Sequence, residues 1–173
     1  MTVEDVAEIS VQAGQENEDV DRAHDRALGF LGFRPRSAHE VERYLRQKGF
    51  GPQTVEIVRE RLTSAGLLDD GQFAEYWISN RSTFSPRGRR ALRQELRQKG
   101  LASDAIDRAM EESPDEAELA IQAGRKRLST FARLEQDEFR RRMMGFLSRR
   151  GFGYGEAHEA TKRLWEEVVS CEL

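Results

Sequence analysis

A single cysteine, Cys171, stands among 173 residues. That excludes an intrachain disulfide and a cysteine-rich zinc site, and it fits a reducing compartment. Histidine is almost as scarce. His24, His39 and His158 lie in widely separated segments, and His158-Glu159 lacks the second histidine of a zinc-protease helix. No metal and no cofactor are expected. No Gly-rich phosphate loop ending in Lys-Ser or Lys-Thr occurs, and Gly151-Phe152-Gly153-Tyr154-Gly155 reads as an interhelical turn. Cys171 has no basic partner implied by its position. No catalytic residue is expected, and the enzyme class is set aside. Apolar runs fall short of the ~20 residues that span a bilayer, so no membrane contact is expected. The first residues are acidic and lack a basic-then-apolar leader pattern, which points to the cytoplasm. Aromatic residues make up 8% against 34% charged, so every core must be lean. The strict alternation of a half-buried strand is missing as well.

What is present is repetition. Gly49, Gly100 and Gly151 are spaced fifty-one residues apart, each inside one phrase: Leu45-Arg46-Gln47-Lys48-Gly49-Phe50, Leu96-Arg97-Gln98-Lys99-Gly100-Leu101 and Leu147-Ser148-Arg149-Arg150-Gly151-Phe152. Such a period marks an array of similar units. Each phrase reads as a helix end, with glycine in the left-handed conformation and the next residue packing on the leucine before it. A cation beside each glycine suits the negative end of the helix dipole. Ser37 with Glu40 three residues later predicts a capping box. Ser85-Pro86, Asp69 with Gln72, Ser103, and Ser113-Pro114-Asp115-Glu116 predict further helix starts. Apolar stripes follow: Val41 and Leu45, Leu92 and Leu96, Met143 and Leu147 at spacing four, then Val55/Val58/Leu62, Ile106/Ala109/Met110 and Ala157/Ala160/Leu164/Val168.

These signals predict an all-α fold of three tandem three-helix repeats in an elongated, curved array. The expected divisions are an acidic, disordered tail over 1–18, then repeats over 19–67, 68–113 and 114–173. The first helix of the third repeat leaves the fifty-one-residue register, so a small insertion or deletion is expected near 113–136.

The net charge of −3 is unevenly spread. Residues 1–25 carry −7, which leaves +4 on the remainder. Arg81, Arg87, Arg89, Arg90, Arg93, Arg97 and Lys99 fall within residues 81–99 against one acid, Glu95. Arg89, Arg93 and Arg97 share a helical stripe beside Leu92 and Leu96. The equivalent positions are Ala38, Glu42 and Arg46 in the first repeat and Arg140, Met144 and Ser148 in the third, so packing does not demand arginine there. The stripe is expected to meet an anionic partner, although a solvated face covering apolar surface with its stems is the plain alternative. A weaker cluster holds Arg140, Arg141 and Arg142 with Arg149 and Arg150, and Glu135, Asp137 and Glu138 sit beside it, placed to pair with it. Trp77 and Trp165 sit on apolar faces, and no exposed aromatic platform for base stacking is evident.

The segment Leu67-Leu68-Asp69-Asp70-Gly71-Gln72-Phe73-Ala74-Glu75-Tyr76-Trp77-Ile78-Ser79-Asn80-Arg81 resembles the central signature of the bacterial RecX regulators. Gly88 to Gly100 resembles its continuation. Arg34-Pro35-Arg36-Ser37-Ala38-His39-Glu40-Val41 is similar to the first-repeat capping segment, and Phe146 to Tyr154 to the third-repeat ending. The resemblance runs from about residue 22 to 168. It implies a cytoplasmic, monomeric, non-catalytic modulator of recombinational repair and the SOS response. It further implies binding to the RecA recombinase filament, with inhibition of ATP hydrolysis and strand exchange. DNA within the filament is a further candidate contact. On charge alone, Arg81, Arg87, Arg89, Arg90, Arg93, Arg97, Lys99, Arg140 and Arg141 are the expected contacts. A protein that acts by occupying single- or double-stranded DNA is the alternative.

Overall fold

The computed structural model describes the backbone of residues 3–171 and the side chains of residues 16–170. Among these there are nine helices and no strand: α1 (Val3–Leu31), α2 (Ala38–Gln47), α3 (Pro52–Ser64), α4 (Asp70–Phe84), α5 (Arg89–Gln98), α6 (Ser103–Glu111), α7 (Glu116–Phe131), α8 (Gln136–Arg149) and α9 (Tyr154–Cys171). The chain is three three-helix repeats in tandem. The helix α1 begins at Val3, within the segment expected to lack order; that stretch has no proline and is rich in Glu, Gln and Ala, which favour helix locally. Its side chains through residue 15, and that of Cys171, lie outside the described residues.

The apolar stripes are buried as their periodicity predicts, including Val41, Leu45, Leu92, Leu96, Met143 and Leu147, all at 1% exposure or less. Each such side chain stabilises the fold by roughly 1.5–3 kcal/mol relative to leaving it in water. The three repeated glycines have φ of +90°, +84° and +87°. At Gly49 the Phe50 N–H donates to the Leu45 carbonyl at 3.2 Å, and at Gly151 the Phe152 N–H donates to that of Leu147 at 3.2 Å. Ser37 and Glu40 form the reciprocal capping box.

Other starts differ from the sequence pattern. The cap of α7 is Asp115, whose carboxylate accepts from the Ala117 and Glu118 N–H groups. Ser113 instead turns back to the Met110 carbonyl and closes α6. A carboxylate also suits the positive helix end better than a hydroxyl does. Ser103 is the first residue of α6, with Ala102 at the cap. Ser85 and Pro86 precede α5, which opens at Arg89, because the Ser85 N–H still belongs to the end of α4.

The register shift has a definite form. Helix α6 has 9 residues where α3 has 13, and α8 has 14 where α2 and α5 have 10. About one turn is removed before α7 and about one turn returns in α8, so the glycine spacing is restored and the buried face is kept.

The backbone divides into two compact units: Met1–Phe73 with Lys99–Leu101, and Ala74–Gln98 with Ala102–Leu173. In the first unit α1 and α2 pack on α3 around Val20, Ala23, Ala27, Val41, Leu45 and Leu62. The Lys99–Leu101 turn sits there against the start of α2. The Ser37 hydroxyl donates to the Lys99 carbonyl at 2.7 Å, and a Cβ on Gly100 would lie 2.4 Å from that of His39. In the second unit α7 and α8 pack on α9 around Phe139, Met143, Leu147 and Leu164. The Arg150-Gly151 turn sits against the start of α5 in the same way. The Gly88 N–H donates to the Arg150 carbonyl at 3.0 Å, and a Cβ on Gly151 would lie 2.6 Å from the Ala91 nitrogen. The repeated glycine is thus a helix stop and also the point where one repeat's turn meets the preceding repeat's helix start. Among the described residues nothing approaches within 4 Å of the corresponding position at Gly49.

Candidate partner-binding surface

One pair of equivalent positions carries three different chemistries. In the first repeat Phe30 stacks on Tyr44, with centroids 4.2 Å apart. Arg36 lies over the Phe30 ring at 3.9 Å, and Lys48 lies 5.5 Å from the Tyr44 ring. In the second repeat the same two places hold Arg81 and Glu95, ion-paired at 2.8 Å. In the third they hold Arg127 and Phe146, with the guanidinium 5.5 Å from the ring.

This substitution decides the fate of several predicted contact residues. Arg81 is spent on Glu95 and on the face of Trp77, 4.7 Å away. Arg87 approaches the other Glu95 oxygen at 3.6 Å. Lys99 pairs with the buried Glu40 at 2.7 Å. These three hold the fold. Trp77 and Trp165 are half-buried; the Trp77 indole donates to Glu95 at 2.8 Å, and Trp165 packs on Phe139.

The α5 stripe is the outward part. Arg89 pairs with Glu116 at 3.8 Å and Arg93 pairs with Asp107. Arg90 donates to the Ser148 carbonyl at 3.3 Å. Among the described residues Arg97 makes no ion pair, and it is exposed. Exposed pairs of this kind are worth about 0–1 kcal/mol, so a stronger anion can replace the carboxylates. On α8, Arg141 and Arg142 both hold Glu138, at 2.7 and 2.6 Å. Among the described residues Arg140 meets only His158, at 3.4 Å. Glu138 therefore neutralises Arg141, and Arg140 stays available.

Two features escaped the sequence. Phe33 and Phe84 are 86% and 71% exposed, at positions fifty-one residues apart, and Tyr154 is 75% exposed. The expectation that no aromatic platform is present is thereby overturned; recurrence of a phenylalanine outside the apolar stripes was the available signal. The second is the pair Lys126 and Arg127 in the second unit: Arg127 lies close to Arg150, as do Arg81 and Arg87, and Lys126 lies against the end of α4. Burial, and then Arg87, Arg127 and Arg81, push the Arg150 guanidinium below its ordinary pKa.

Glu40 shows the opposite balance. Burial alone would raise its carboxyl, but hydrogen bonds from Arg34 and Lys99, the Lys99 charge and the Ser37 N–H bring it down to about 2. Among the described residues no group of three or more His, Cys, Asp or Glu could hold a metal, and no helix is long and apolar enough to cross a membrane.

Models of the first, second and third three-helix domains of RecX match residues 23–62, 69–110 and 114–161. The chain is 35% identical over 143 residues to a regulatory protein RecX of Amycolatopsis mediterranei, with 82% of each chain covered. The chain belongs to the RecX family. A regulatory protein RecX of Prosthecochloris aestuarii is 38% identical over 134 residues, 78% of this chain and 87% of the relative. A crystal structure of regulatory protein RecX shares the fold with TM-score 0.77 at 23% identity, covering 90% of this chain and 77% of the other. RecX from Lactobacillus salivarius does so with TM-score 0.74 at 19% identity, covering 86% and 97%. The acidic residues before 23 lie outside the matched RecX domains.

Proposed function

We propose that this RecX-family chain acts in the cytoplasm, without catalysis of its own, by binding the RecA recombinase filament as a monomer and lowering its ATP hydrolysis and strand exchange. The observation that carries this reading is the run of three RecX domains from residue 23 to 161. The contact surface in this reading is smaller than charge alone suggests, because Arg81, Arg87 and Lys99 are committed internally. Arg89, Arg90, Arg93 and Arg97 on α5 remain, with Arg140 on α8. Asp107 is exposed, Glu116 is half-buried, and Arg90, Arg97 and Arg140 make no ion pair among the described residues, so these arginines can turn to acidic protein surface or DNA phosphate. Several weak contacts displayed by linked units give a strong total when the partner is itself periodic.

The test is recombinase ATPase on single-stranded DNA, with the native chain and with Arg89→Glu, Arg93→Glu and Arg97→Glu combined. Inhibition by the native chain near stoichiometric ratios, lost in a folded variant, is the expected result. An absence of inhibition by the native chain rules the reading out. Unchanged inhibition by the variant removes α5 from the contact.

A further inference from the structure

We infer that the second unit carries a binding notch for single-stranded DNA, in which Phe84 stacks on a base and Arg127, Arg150 and Lys126 hold the adjoining phosphates. Phe84 ends α4 and is 71% exposed. The Lys126 ammonium donates to the Phe84 carbonyl at 2.8 Å, so a cation is fixed at the root of the ring. Arg150 donates to the Ser85 hydroxyl at 3.2 Å and to the Pro86 carbonyl at 3.4 Å, on the two residues that follow. Its guanidinium lies 5.0 Å from the Phe146 ring, and that of Arg127 lies 5.5 Å from the same ring.

The manner of anchoring matters. Among the described residues none of Lys126, Arg127 and Arg150 makes an ion pair. Carbonyls, a hydroxyl and an aromatic face hold them, and such groups fix a cation without cancelling its charge. The carboxylate bound to Arg81 and Arg87 is Glu95, which also takes the Trp77 indole. Arg127 and Arg150 therefore stand beside Arg81 and Arg87, whose single acid, Glu95, is already taken. A site held in this state is prepared for an external anion. A phosphodiester strand brings one charge per nucleotide, which suits cations spread over α7 and the α8 end. The base supplies the flat face that an exposed phenylalanine lacks. A duplex keeps its bases stacked inside and offers Phe84 no such partner. Phe33 holds the same place in the first repeat and is 86% exposed, but Arg34 beside it is spent on Glu40 at 3.0 Å. The notch is confined to the second unit for that reason.

The inference does not depend on the recombinase reading, and its test contains no recombinase. Fluorescence anisotropy with a labelled oligo-dT strand, across a salt series, compares the native chain with Phe84→Ala and Arg127→Gln. Far-UV circular dichroism checks that each variant is folded; both side chains are exposed, so each should be. Phe84→Ala should weaken binding about 5- to 150-fold with the salt slope unchanged. Arg127→Gln should lower the slope of log K against log salt by about 0.7. A duplex of the same sequence should bind more weakly and should not respond to Phe84→Ala. The inference is overturned if the native chain does not bind oligo-dT, or if Phe84→Ala leaves its affinity unchanged. Displacement by polyglutamate at matched charge as readily as by unlabelled oligo-dT overturns it too, in favour of an acidic polypeptide. None of these failures touches inhibition of the recombinase ATPase.

Discussion

Alanine at Gly49, Gly100 and Gly151 separates the two tasks of the repeated glycine. All three have positive φ, so each alanine carries the cost of the left-handed conformation, about 1–2 kcal/mol. Only two have close neighbours. At Gly49 the new methyl meets open space, and the expected loss stays at about 1–2 kcal/mol. At Gly100 it would lie 2.4 Å from the His39 Cβ. His39 is exposed and can move with its helix start, so overpacking adds about 1–3 kcal/mol. At Gly151 the obstacle is backbone, the Ala91 nitrogen at 2.6 Å, and the Gly88–Arg150 hydrogen bond must break to relieve it. A total loss of about 4 kcal/mol or more is expected there, from overpacking and a lost buried hydrogen bond. Urea unfolding followed by far-UV circular dichroism measures all three. Hydrogen exchange compares Gly49→Ala with Gly100→Ala inside the first unit. Equal losses at the three sites would refute the docking role and leave only the helix stop.

Three further outcomes are expected. The Glu40 carboxyl, at about 2, lies well below its ordinary 4.5. It therefore contributes about 3 kcal/mol that is present above pH 4.5 and lost as pH falls toward 2, and Glu40→Gln should flatten the acid limb of stability in that window. Lys99→Met removes a charged hydrogen bond from Glu40 and should cost about 1–3 kcal/mol by urea titration; the double variant with Glu40→Gln should recover part of it. Arg93→Gln frees Asp107 on an exposed surface, so thermal unfolding should register a change of no more than about 1 kcal/mol.

The helices were legible because their determinants are local. Ser37 with Glu40, the glycine phrases and the four-residue apolar spacing each act within one or two turns. Ser113 differs because its hydroxyl closes α6 instead of opening α7, Ser85 because its N–H still belongs to the end of α4, and Ser103 by a single residue; only the neighbouring turn decides. The contact surface was half legible. That Arg89, Arg93 and Arg97 point outward follows from Leu92 and Leu96. That Arg81, Arg87 and Lys99 are consumed does not, because Glu95 and Glu40 reach them from other helices. Lys126 and Arg127 carry no local signal, because their significance depends on meeting Arg150, more than twenty residues away in the chain.

The pairs Phe30–Tyr44, Arg81–Glu95 and Arg127–Phe146 fasten equivalent joints with unlike materials. Added salt weakens a charge-to-charge clasp and leaves stacked rings untouched, whereas cooling weakens the contribution of apolar contact. The second repeat should therefore be the first to loosen in concentrated brine, and the first repeat should be the more sensitive to cold. A tandem array copied from one template thus has joints that fail under different stresses, and neither salt nor cold alone loosens them all.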